Sequence, residues 1–449
     1  MDTLLALAGK LAAGKTSSRE LVETCLERAN DPQGEGARVF TSIAAQNARA
    51  AADGMDKLRK AGAAPSAFAG IPLGIKDLFD IAGEVSTAGS RVLAANPPAQ
   101  TDAVAVARLR AAGFVFVGRT NMTEFAYSGL GMNAHFGTPR NPWDRATGRI
   151  PGGSSSGAAV GIADGMFAAG LGTDTGGSCR IPAALCGVVG FKPTAERVSR
   201  EGAVPLSTTL DSVGPLARSV ECCAILDAIL AGGTPKAEEA FPLAGLRLGL
   251  PDAYVTDGMD DSVAAAFNRA LSALSAAGAT VSTLPLDMLK EIPVINAKGG
   301  LVGAEAYAWH REYLERTPQL YDPWVLQRFE AGKSQSAADY IATARARLGM
   351  IERVAKVTAK VDALIMPTVP VVAPAIAALS DTDAANRINL FLLRNPALGN
   401  FLDRCAISLP CHRAGEAPVG LMLLGEHGAD RRLLAIALSV AATVSAVAE

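Results

Sequence analysis

Two short serine runs, each introduced by a pair of glycines, are the part of this sequence best suited to chemistry. Ser154-Ser155-Ser156 follows Gly152-Gly153, and Ser178 follows Gly176-Gly177. Glycine pairs allow tight turns whose backbone N–H groups point toward a ligand. The large apolar residues between the two runs are not typical of a flexible Gly/Ser linker. Residues 151–194 therefore predict an active-site loop system on an apolar scaffold.

A serine hydroxyl becomes an effective nucleophile only when a neighbouring base removes its proton. Residues 153–157 fit the G-x-S-x-G pattern of a nucleophile elbow, for which His310, His412 or His427 could supply the base. An elbow requires a strand that leads directly into it. Residues 147–152 contain a proline and two glycines and predict a loop instead, so the elbow is disfavoured.

The sequence around Ser178 fits a catalytic serine better than the sequence around Ser154-Ser155-Ser156. Residues 167–173 predict a buried strand, residues 175–177 a tight turn, and residues 180–185 a helical turn. A turn of this kind gathers backbone N–H groups around the serine, where they can stabilise an oxyanion. A strand, a tight turn and a helix around Ser178 thus predict acyl-transfer chemistry.

One lysine has an unusual environment. Lys76 lies in a predicted strand near residues 70–80, flanked by Leu73, Ile75 and Leu78. Taken alone, this local pattern favours a strand lysine whose ammonium group reaches solvent along its aliphatic stem. The alternative is that Lys76 takes part in the chemistry of the site.

Four motifs in this chain together resemble the amidase signature family of serine hydrolases. They are GIPLGIKD, GGSSSG, GTDTGGSCRIP and CGVVGFKPT, and the resemblance is strongest over residues 70–216, returning at 362–367, 400–410 and 418–424. It implies an α/β amidase-signature fold, with a central mixed twisted β-sheet covered by helices on both faces. It also implies hydrolysis of a carboxamide through an acyl-serine intermediate, with neither a metal nor an organic cofactor.

By position in the motifs, the resemblance makes Ser178 the nucleophile, Ser154 a proton relay preceded by a cis peptide, and Lys76 the base. The oxyanion would be held by backbone N–H groups of the turn, namely those of Thr175, Gly176, Gly177 and Ser178. The scarcity of histidine, four residues in the chain, agrees with this assignment.

A lysine can act as a base only in its neutral form, which requires a pKa below its usual value of about 10.4. The apolar neighbours of Lys76 would lower its pKa by desolvation. The carboxylate of the adjacent Asp77 would act in the opposite direction, so it must point elsewhere.

The substrate pocket is less well defined by the sequence. Met122 and Tyr127 are candidates for its lining, although an apolar helix face fits them equally. Arg180 could anchor a substrate carboxylate, or it could brace the loop through a buried acid. Asp174 is expected to hold the turn through hydrogen bonds to the backbone, and Cys179 is expected to pack in the core.

The chain departs from the family pattern at Asp403 and Cys405, where the family has glycine and proline. This change, together with the neighbouring Arg404, indicates either an unusual substrate specificity or a local change of turn.

Composition limits the class of protein. Of the 449 residues, 49% are hydrophobic and 19% charged, and the net charge is −2, which excludes general disorder and disfavours nucleic acid as a partner. Seven cysteines without a C-x-x-C spacing favour a reduced, cytoplasmic setting. Lys10 interrupts the apolar N-terminal stretch, which argues against a signal peptide and a membrane span. We expect the binding partner to be a small-molecule amide substrate. The sequence does not decide whether the protein forms a homodimer.

The surrounding elements alternate in the manner of an α/β protein. Residues 1–65 predict a helical layer, residues 66–220 the catalytic core, and residues 221–449 the rest of the sheet and the substrate pocket, all within one domain. Other predictions are a helix near Asn121, a loop-rich segment over 201–216, a β-α-β unit over 246–284 and a final helix over 431–447.

Three alternatives to a free-standing amidase remain at this point. One is the glutamine-hydrolysing component of a tRNA-dependent amidotransferase, which would pass ammonia to a partner protein. Another is an amidase for small carboxylated ureas or amides, in which Arg180 or Arg404 would matter. The third, a catalytically silent binding protein that keeps the fold, is disfavoured because Lys76, Ser154 and Ser178 are all present.

Overall fold

The computed structural model describes residues 1–235 and 238–446 and is organised around one mixed sheet. In these residues eleven strands pair in the order β1-β3-β2-β4-β6-β5-β10-β11-β9-β7-β8. The strands are β1 (Phe40–Ile43), β2 (Pro72–Lys76), β3 (Val115–Thr120), β4 (Ala169–Asp174), β5 (Val189–Lys192), β6 (Ser212–Ala217), β7 (Arg247–Pro251), β8 (Thr280–Leu284), β9 (Ala363–Pro367), β10 (Ala406–Pro410) and β11 (Gly420–Leu424).

Two parallel groups of strands, β3-β2-β4 and β9-β7-β8, are joined by antiparallel pairs. The β-α-β unit expected over 246–284 is confirmed, since β7 pairs with β8 in parallel and a helix connects them. The mixed sheet expected from the family resemblance is likewise confirmed.

Helices make up most of the remainder. They are α1 (Leu4–Ala12), α2 (Ser18–Ala29), α3 (Gly36–Val39), α4 (Ala45–Lys60), α5 (Val104–Ala111), α6 (Ser156–Ala163), α7 (Arg180–Cys186), α8 (Val220–Leu230), α9 (Asp261–Ala276), α10 (Ile292–Ile295), α11 (Gly300–Arg316), α12 (Pro323–Ala331), α13 (Ala337–Thr358), α14 (Thr382–Leu393), α15 (Ala397–Phe401) and α16 (Asp430–Ala446). Short 3₁₀ turns lie at Glu124–Ala126, Asp287–Glu291, Pro318–Leu320, Gly332–Ser334 and Ile376–Leu379.

Both faces of the sheet are buried. Along β11, Leu421 and Leu423 belong to the largest apolar cluster, which also holds residues of α8, α9 and α16. Met422 and Leu424, which alternate with them, belong to a second cluster with residues of α13 and α15. Successive side chains of a strand point to opposite faces, so this alternation places helices on both sides of the sheet.

Several helices begin where the sequence indicates. Ser17 caps α2 in a reciprocal capping box with Glu20, and Ser219 caps α8 by accepting a hydrogen bond from the Cys222 N–H. These serines satisfy N–H groups that have no partner within the helix. The capping residues thus define where the helices that cover the sheet begin.

Some expectations are wrong. Instead of a helix near Asn121, the chain makes a 3₁₀ turn at Glu124–Ala126, where Phe125 and Ala126 have φ of 49° and 61°, values that no α-helix accommodates. In the segment expected to be loop-rich over 201–216, residues 201–211 are loop as expected, but residues 212–216 belong to β6, which lies between β4 and β5. Strand β1 interrupts the expected helical layer. The expected end of the last helix at Val447 lies outside the described residues.

The domain boundaries near residues 65 and 220 stay predictions. The sheet itself runs past both, since β1 pairs with β3 and β5 pairs with β10. All seven cysteines are buried and free of disulfides. Within residues 1–235 and 238–446, no helix combines the length and apolar character needed to cross a membrane.

Candidate active site

Strand β2 carries Lys76 into the centre of the protein. Its side chain is fully buried, and its Nζ donates hydrogen bonds to Ser154 Oγ and Thr173 Oγ1, both at 2.8 Å. Thr173 lies near the end of β4, the parallel neighbour of β2. The strand pairing therefore places Thr173 beside Lys76, whereas Ser154 reaches it from a loop. Lys76 is buried, although its local sequence favours an ammonium group that reaches solvent.

Ser154 lies in the loop before α6, and the Gly153–Ser154 peptide bond is cis, as the family resemblance implies. Only glycine fits at position 153, because a Cβ there would lie 2.6 Å from the Gly131 nitrogen. The Ser154 carbonyl accepts a hydrogen bond from the Thr123 N–H at 3.1 Å. The Ser155 N–H donates to the Ser178 carbonyl at 3.3 Å. This last contact joins the two serine-bearing loops.

The turn that carries Ser178 is held by Asp174. One carboxylate oxygen of Asp174 accepts the Gly177 N–H at 2.9 Å, and the other accepts the Cys179 N–H at 3.1 Å. Gly177 has φ of 129°, a conformation that L-residues rarely adopt, and a Cβ there would lie 2.5 Å from Pro396 Cβ. The expectation that Asp174 holds the turn agrees with this geometry.

The expected oxyanion donors require one correction. Because the Gly177 N–H already donates to Asp174, it is not available to an oxyanion. The remaining donors in the turn are the N–H groups of Thr175, Gly176 and Ser178. The sequence could not show which N–H groups of the turn bind the Asp174 carboxylate, because all of them lie within five residues of it.

Arg180 does not reach a substrate. Its side chain is fully buried, and its guanidinium donates to both carboxylate oxygens of Asp174, at 2.8 and 3.0 Å. It also donates to the Pro396 carbonyl and to Asn400 Oδ1. Of the two roles considered for Arg180, the structure favours bracing of the loop through a buried acid.

Burial lowers the pKa of Lys76 to about 8, against the opposing influence of Cys179 and of the Asp211 and Asp174 carboxylates. The adjacent Asp77 points away, as a neutral Lys76 requires. Its carboxylate binds Thr87, the Gly89 N–H and Arg119. Lys76 is therefore close to neutral at mildly alkaline pH.

We predict a pH profile governed by this pKa. If neutral Lys76 is the base, kcat/KM will fall about tenfold per pH unit below pH 8, where the lysine is protonated, and level off above it. The measurement is ammonia release at subsaturating amide from pH 6 to 10. A profile already flat at pH 7 would contradict the assignment, and a limb near pH 6 would point to Asp211, whose pKa burial raises to about 6.

A cavity of about 460 Å³ opens onto Ser178. Its wall is mainly apolar and includes Leu206, Leu210, Leu393 and Phe401. Of the two residues expected to line it, Tyr127 does so, whereas Met122 is fully buried in the core and belongs to the main apolar cluster.

Neither Asp403 nor Arg404 lines this cavity. Arg404 is buried and bonds to Thr358 Oγ1 at 2.7 Å and to Glu426 at 2.9 Å. Asp403 has φ of 52°, a conformation that favours glycine, the residue that the family has here. The departure from the family pattern is thus a change within a turn.

Two residues of the site escaped the prediction from sequence. Thr173 holds Lys76, and Asn400 donates to both the Asp174 carbonyl, at 2.8 Å, and its carboxylate, at 3.0 Å. Thr173 lies inside the GTDTGGS motif, so the motif could have identified it as a residue of the site. Asn400 is 226 residues from Asp174 in the chain, and only the fold brings them together.

The histidines considered as bases lie outside the site. His310 bonds to Tyr321 at 2.8 Å within an aromatic cluster, and burial lowers its pKa to about 3. His427 is exposed beside Asp403. Among the described residues around the Ser178 cavity there is no histidine. The nucleophile-elbow interpretation accordingly lacks a base there, and its serine run leads from a loop into α6.

The family model for amidases matches residues 20–434 of the chain. The chain belongs to the amidase family. A crystal structure of an amidase superimposes with a TM-score of 0.89 at 33% sequence identity, covering 98% of this chain and 99% of the other. This protein is therefore an amidohydrolase with the amidase-signature fold.

Two curated relatives of this amidase family member cover nearly its whole length. The 2-amino-5-chloromuconic acid deaminase of Comamonas testosteroni is 36% identical over 448 residues, covering 97% of this chain and 95% of that protein. A glutamyl-tRNA(Gln) amidotransferase component from Chromohalobacter salexigens is 34% identical over 470 residues, with the same coverage. The two names describe different substrates, so the family alone does not specify the substrate of this chain.

Proposed function

We propose that this protein hydrolyses the C–N bond of a small carboxamide through an acyl-Ser178 intermediate. Neutral Lys76 accepts the proton of Ser154 while Ser154 accepts that of Ser178, whose Oγ attacks the substrate carbonyl carbon. The proton then returns along the same chain to the departing nitrogen, releasing ammonia or an amine. A water activated by the same groups releases the carboxylate product and restores Ser178.

The observation that carries this proposal is the hydrogen bond between the buried Lys76 amine and Ser154. A desolvated amine with a pKa of about 8, 2.8 Å from a serine hydroxyl, is suited to accept a proton from it at working pH. The Ser155-to-Ser178 backbone bond supports the relay, since it ties the relay loop to the nucleophile loop.

The developing oxyanion would be held by the N–H groups of Thr175, Gly176 and Ser178. Asp174 and Arg180 hold the turn that presents these donors, and both side chains are fully buried. Pre-organised donors need no rearrangement when charge develops, which is why each contributes roughly 3 to 4 kcal/mol of transition-state stabilisation in comparable sites.

The mainly apolar cavity favours a small substrate with a hydrocarbon acyl group. The name of one relative gives a carboxylic acid as its substrate, so carboxylated amides belong among the substrates to be tested. A second candidate is glutamine hydrolysis that feeds a partner protein, and the similarity to an amidotransferase component favours including glutamine as well.

The test is ammonia release by the purified protein alone. We expect release from at least one non-glutamine amide in a panel of aliphatic, aryl and carboxylated amides, with Ser178→Ala as the blank. Release from glutamine only, or only when a partner protein is supplied, would support the second candidate. Absence of both turnover and fluorophosphonate labelling of Ser178 would contradict the proposed function.

A further inference from the structure

The oxyanion turn, residues 175–178, begins where a strand pairing ends. Strand β4 pairs with β6 as far as Asp174, whose partner is Ser212, and the Ser212 hydroxyl donates to the Asp174 carbonyl at 3.0 Å. The next residues on the two strands are Thr175 and Asp211, and the Thr175 hydroxyl donates to the Asp211 carboxylate. Within the described part of the chain, this is the one hydrogen bond that Thr175 makes. A single side-chain contact therefore fixes the first residue of the turn.

The same carboxylate holds one wall of the substrate cavity. The second carboxylate oxygen of Asp211 accepts the N–H groups of Leu206, at 3.0 Å, and Ser207, at 3.1 Å. Leu206 lines the cavity that opens onto Ser178, whereas Asp211 itself does not. Asp211 thus joins the oxyanion turn to the cavity wall from behind.

A charge at this position is unfavourable for the proposed base. Asp211 is 8% exposed, and the nearby Arg200 donates to its main-chain carbonyl rather than to its carboxylate. Burial raises the pKa of Asp211 to about 6, so the group is ionised where Lys76 is neutral. The anion also raises the pKa of Lys76, which favours the protonated form that cannot act as a base. A buried anion that opposes the base indicates a compensating role, and ionised carboxylates accept strong hydrogen bonds.

We propose that Asp211 is a positioning residue, whose carboxylate fixes Thr175 so that the N–H groups of Thr175 and Gly176 are aligned before negative charge develops on the substrate oxygen. The inference rests on the proposed function, since it supposes that an oxyanion forms at this turn. Pre-organised donors contribute most in the transition state. Loss of Asp211 should therefore slow reactions that create an oxyanion and leave the binding of neutral ligands almost unchanged.

The first experiment uses Asp211→Asn, which keeps the shape of the side chain. Asparagine has one acceptor oxygen and one donor NH₂ group, so it cannot accept from Thr175 and from the N–H groups of Leu206 and Ser207 together. We expect fluorophosphonate labelling of Ser178 to slow by about 10- to 100-fold, the range for loss of a hydrogen bond to a charged group. An unchanged labelling rate would overturn the inference.

Two inhibitors separate stabilisation of the oxyanion from ordinary binding. With 1,1,1-trifluoro-2-hexanone, Ser178 Oγ adds to the ketone carbon, its proton passes to the base, and the former carbonyl oxygen carries the negative charge. Protection against labelling by this ketone should require about 10- to 100-fold more inhibitor in Asp211→Asn. The neutral 1-hexanol forms no oxyanion, and its protection should change by less than about threefold. An equal loss of protection by both compounds would indicate a merely structural role and would overturn the inference.

Glu305→Gln is the matched control, because Glu305 holds the same wall without reaching the turn. Its carboxylate accepts the Thr209 N–H at 3.0 Å and the Tyr340 hydroxyl at 2.8 Å, together with the hydroxyls of Ser207 and Thr209. We expect labelling and ketone protection in this variant to stay within about threefold of wild type. An equal fall in Glu305→Gln and Asp211→Asn would assign the effect to the wall and would overturn the inference.

Variants of Thr175 show whether Asp211 acts through this residue. Thr175→Val removes the hydroxyl at nearly constant volume and should slow labelling as much as Asp211→Asn, whereas Thr175→Ser keeps the hydroxyl and should retain most of the rate. The double variant of Thr175→Val and Asp211→Asn should label within about threefold of the slower single variant, since both changes remove the same contact. Losses that multiply would overturn the inference. If Asp211→Asn does not fold, an unchanged rate in Thr175→Val overturns it instead.

Wild type distinguishes failure of this inference from failure of the proposed function. Labelling of Ser178 in wild type, at a rate shared by Asp211→Asn and Thr175→Val, would overturn the inference alone. Absence of labelling in wild type would overturn the proposed function and the inference with it.

Discussion

Replacing Ser178 by alanine is expected to lower kcat by at least about 10⁴-fold, while the protein stays folded. The change removes the atom proposed to form a covalent bond with the substrate, and loss of the nucleophile in serine hydrolases has effects of this size or larger. Ser178 is 3% exposed and loses only one oxygen, so the melting temperature should change little. The measurement is ammonia release with the best amide of the panel.

The matched control for this variant is Cys179→Ala, one residue along the chain. Burial raises the pKa of the Cys179 thiol, and its Sγ contacts the Gly214 carbonyl at 3.6 Å in the core. A buried protonated thiol is a poor nucleophile. We therefore expect Cys179→Ala to keep serine labelling and most of the turnover that Ser178→Ala loses. Turnover that persists in Ser178→Ala and disappears in Cys179→Ala would reverse the assignment.

Replacing Lys76 by methionine is expected to lower kcat by on the order of 10² to 10⁴-fold, the usual contribution of a positioned general base. Methionine keeps an unbranched apolar side chain in the space of the lysine stem, so the core around β2 is preserved. The decisive readout is the pH profile. The limb near pH 8 should vanish with the lysine, which a merely structural role would not produce.

Lys192→Met is the matched control, because Lys192 is a second buried lysine whose pKa burial lowers to about 8. Its Nζ donates to the Pro193 carbonyl at 2.8 Å rather than to a serine. We expect this variant to retain the pH limb. A limb that survives in Lys76→Met but is lost in Lys192→Met would show that the wrong lysine was assigned as the base.

The residues around the nucleophile illustrate why local sequence predicts some contacts and not others. Asp174 lies three to five residues before the N–H groups that it binds, so a turn alone places it there. Arg180 was ambiguous because either a substrate or a buried acid could neutralise it. Which of the two neutralises Arg180 depends on Asn400 and Pro396, which lie more than 200 residues away in the chain. Both accept hydrogen bonds from the guanidinium and so enclose it.

For Lys76, the local sequence by itself predicts the wrong environment. Its immediate neighbours favour an ammonium group that reaches solvent, and only the fixed spacing of four motifs indicated a base. The structure agrees with the motifs because β4 pairs with β2 in parallel and places Thr173 within 2.8 Å of Lys76 Nζ. Burial in the fold then lowers the pKa of Lys76 by desolvation, in the direction expected from its apolar neighbours.

By itself, the sequence determined the family, the mixed α/β fold class and the three residues proposed for catalysis, because these depend on motifs and on short-range patterns of apolar residues. Only the tertiary structure decided which residues face the cavity. It placed Tyr127 on the wall and Met122 in the core, and it gave polar partners to Arg180 and Arg404. The reason is physical: a side chain is free to bind a substrate only if no distant part of the chain has already satisfied its hydrogen bonds and charge.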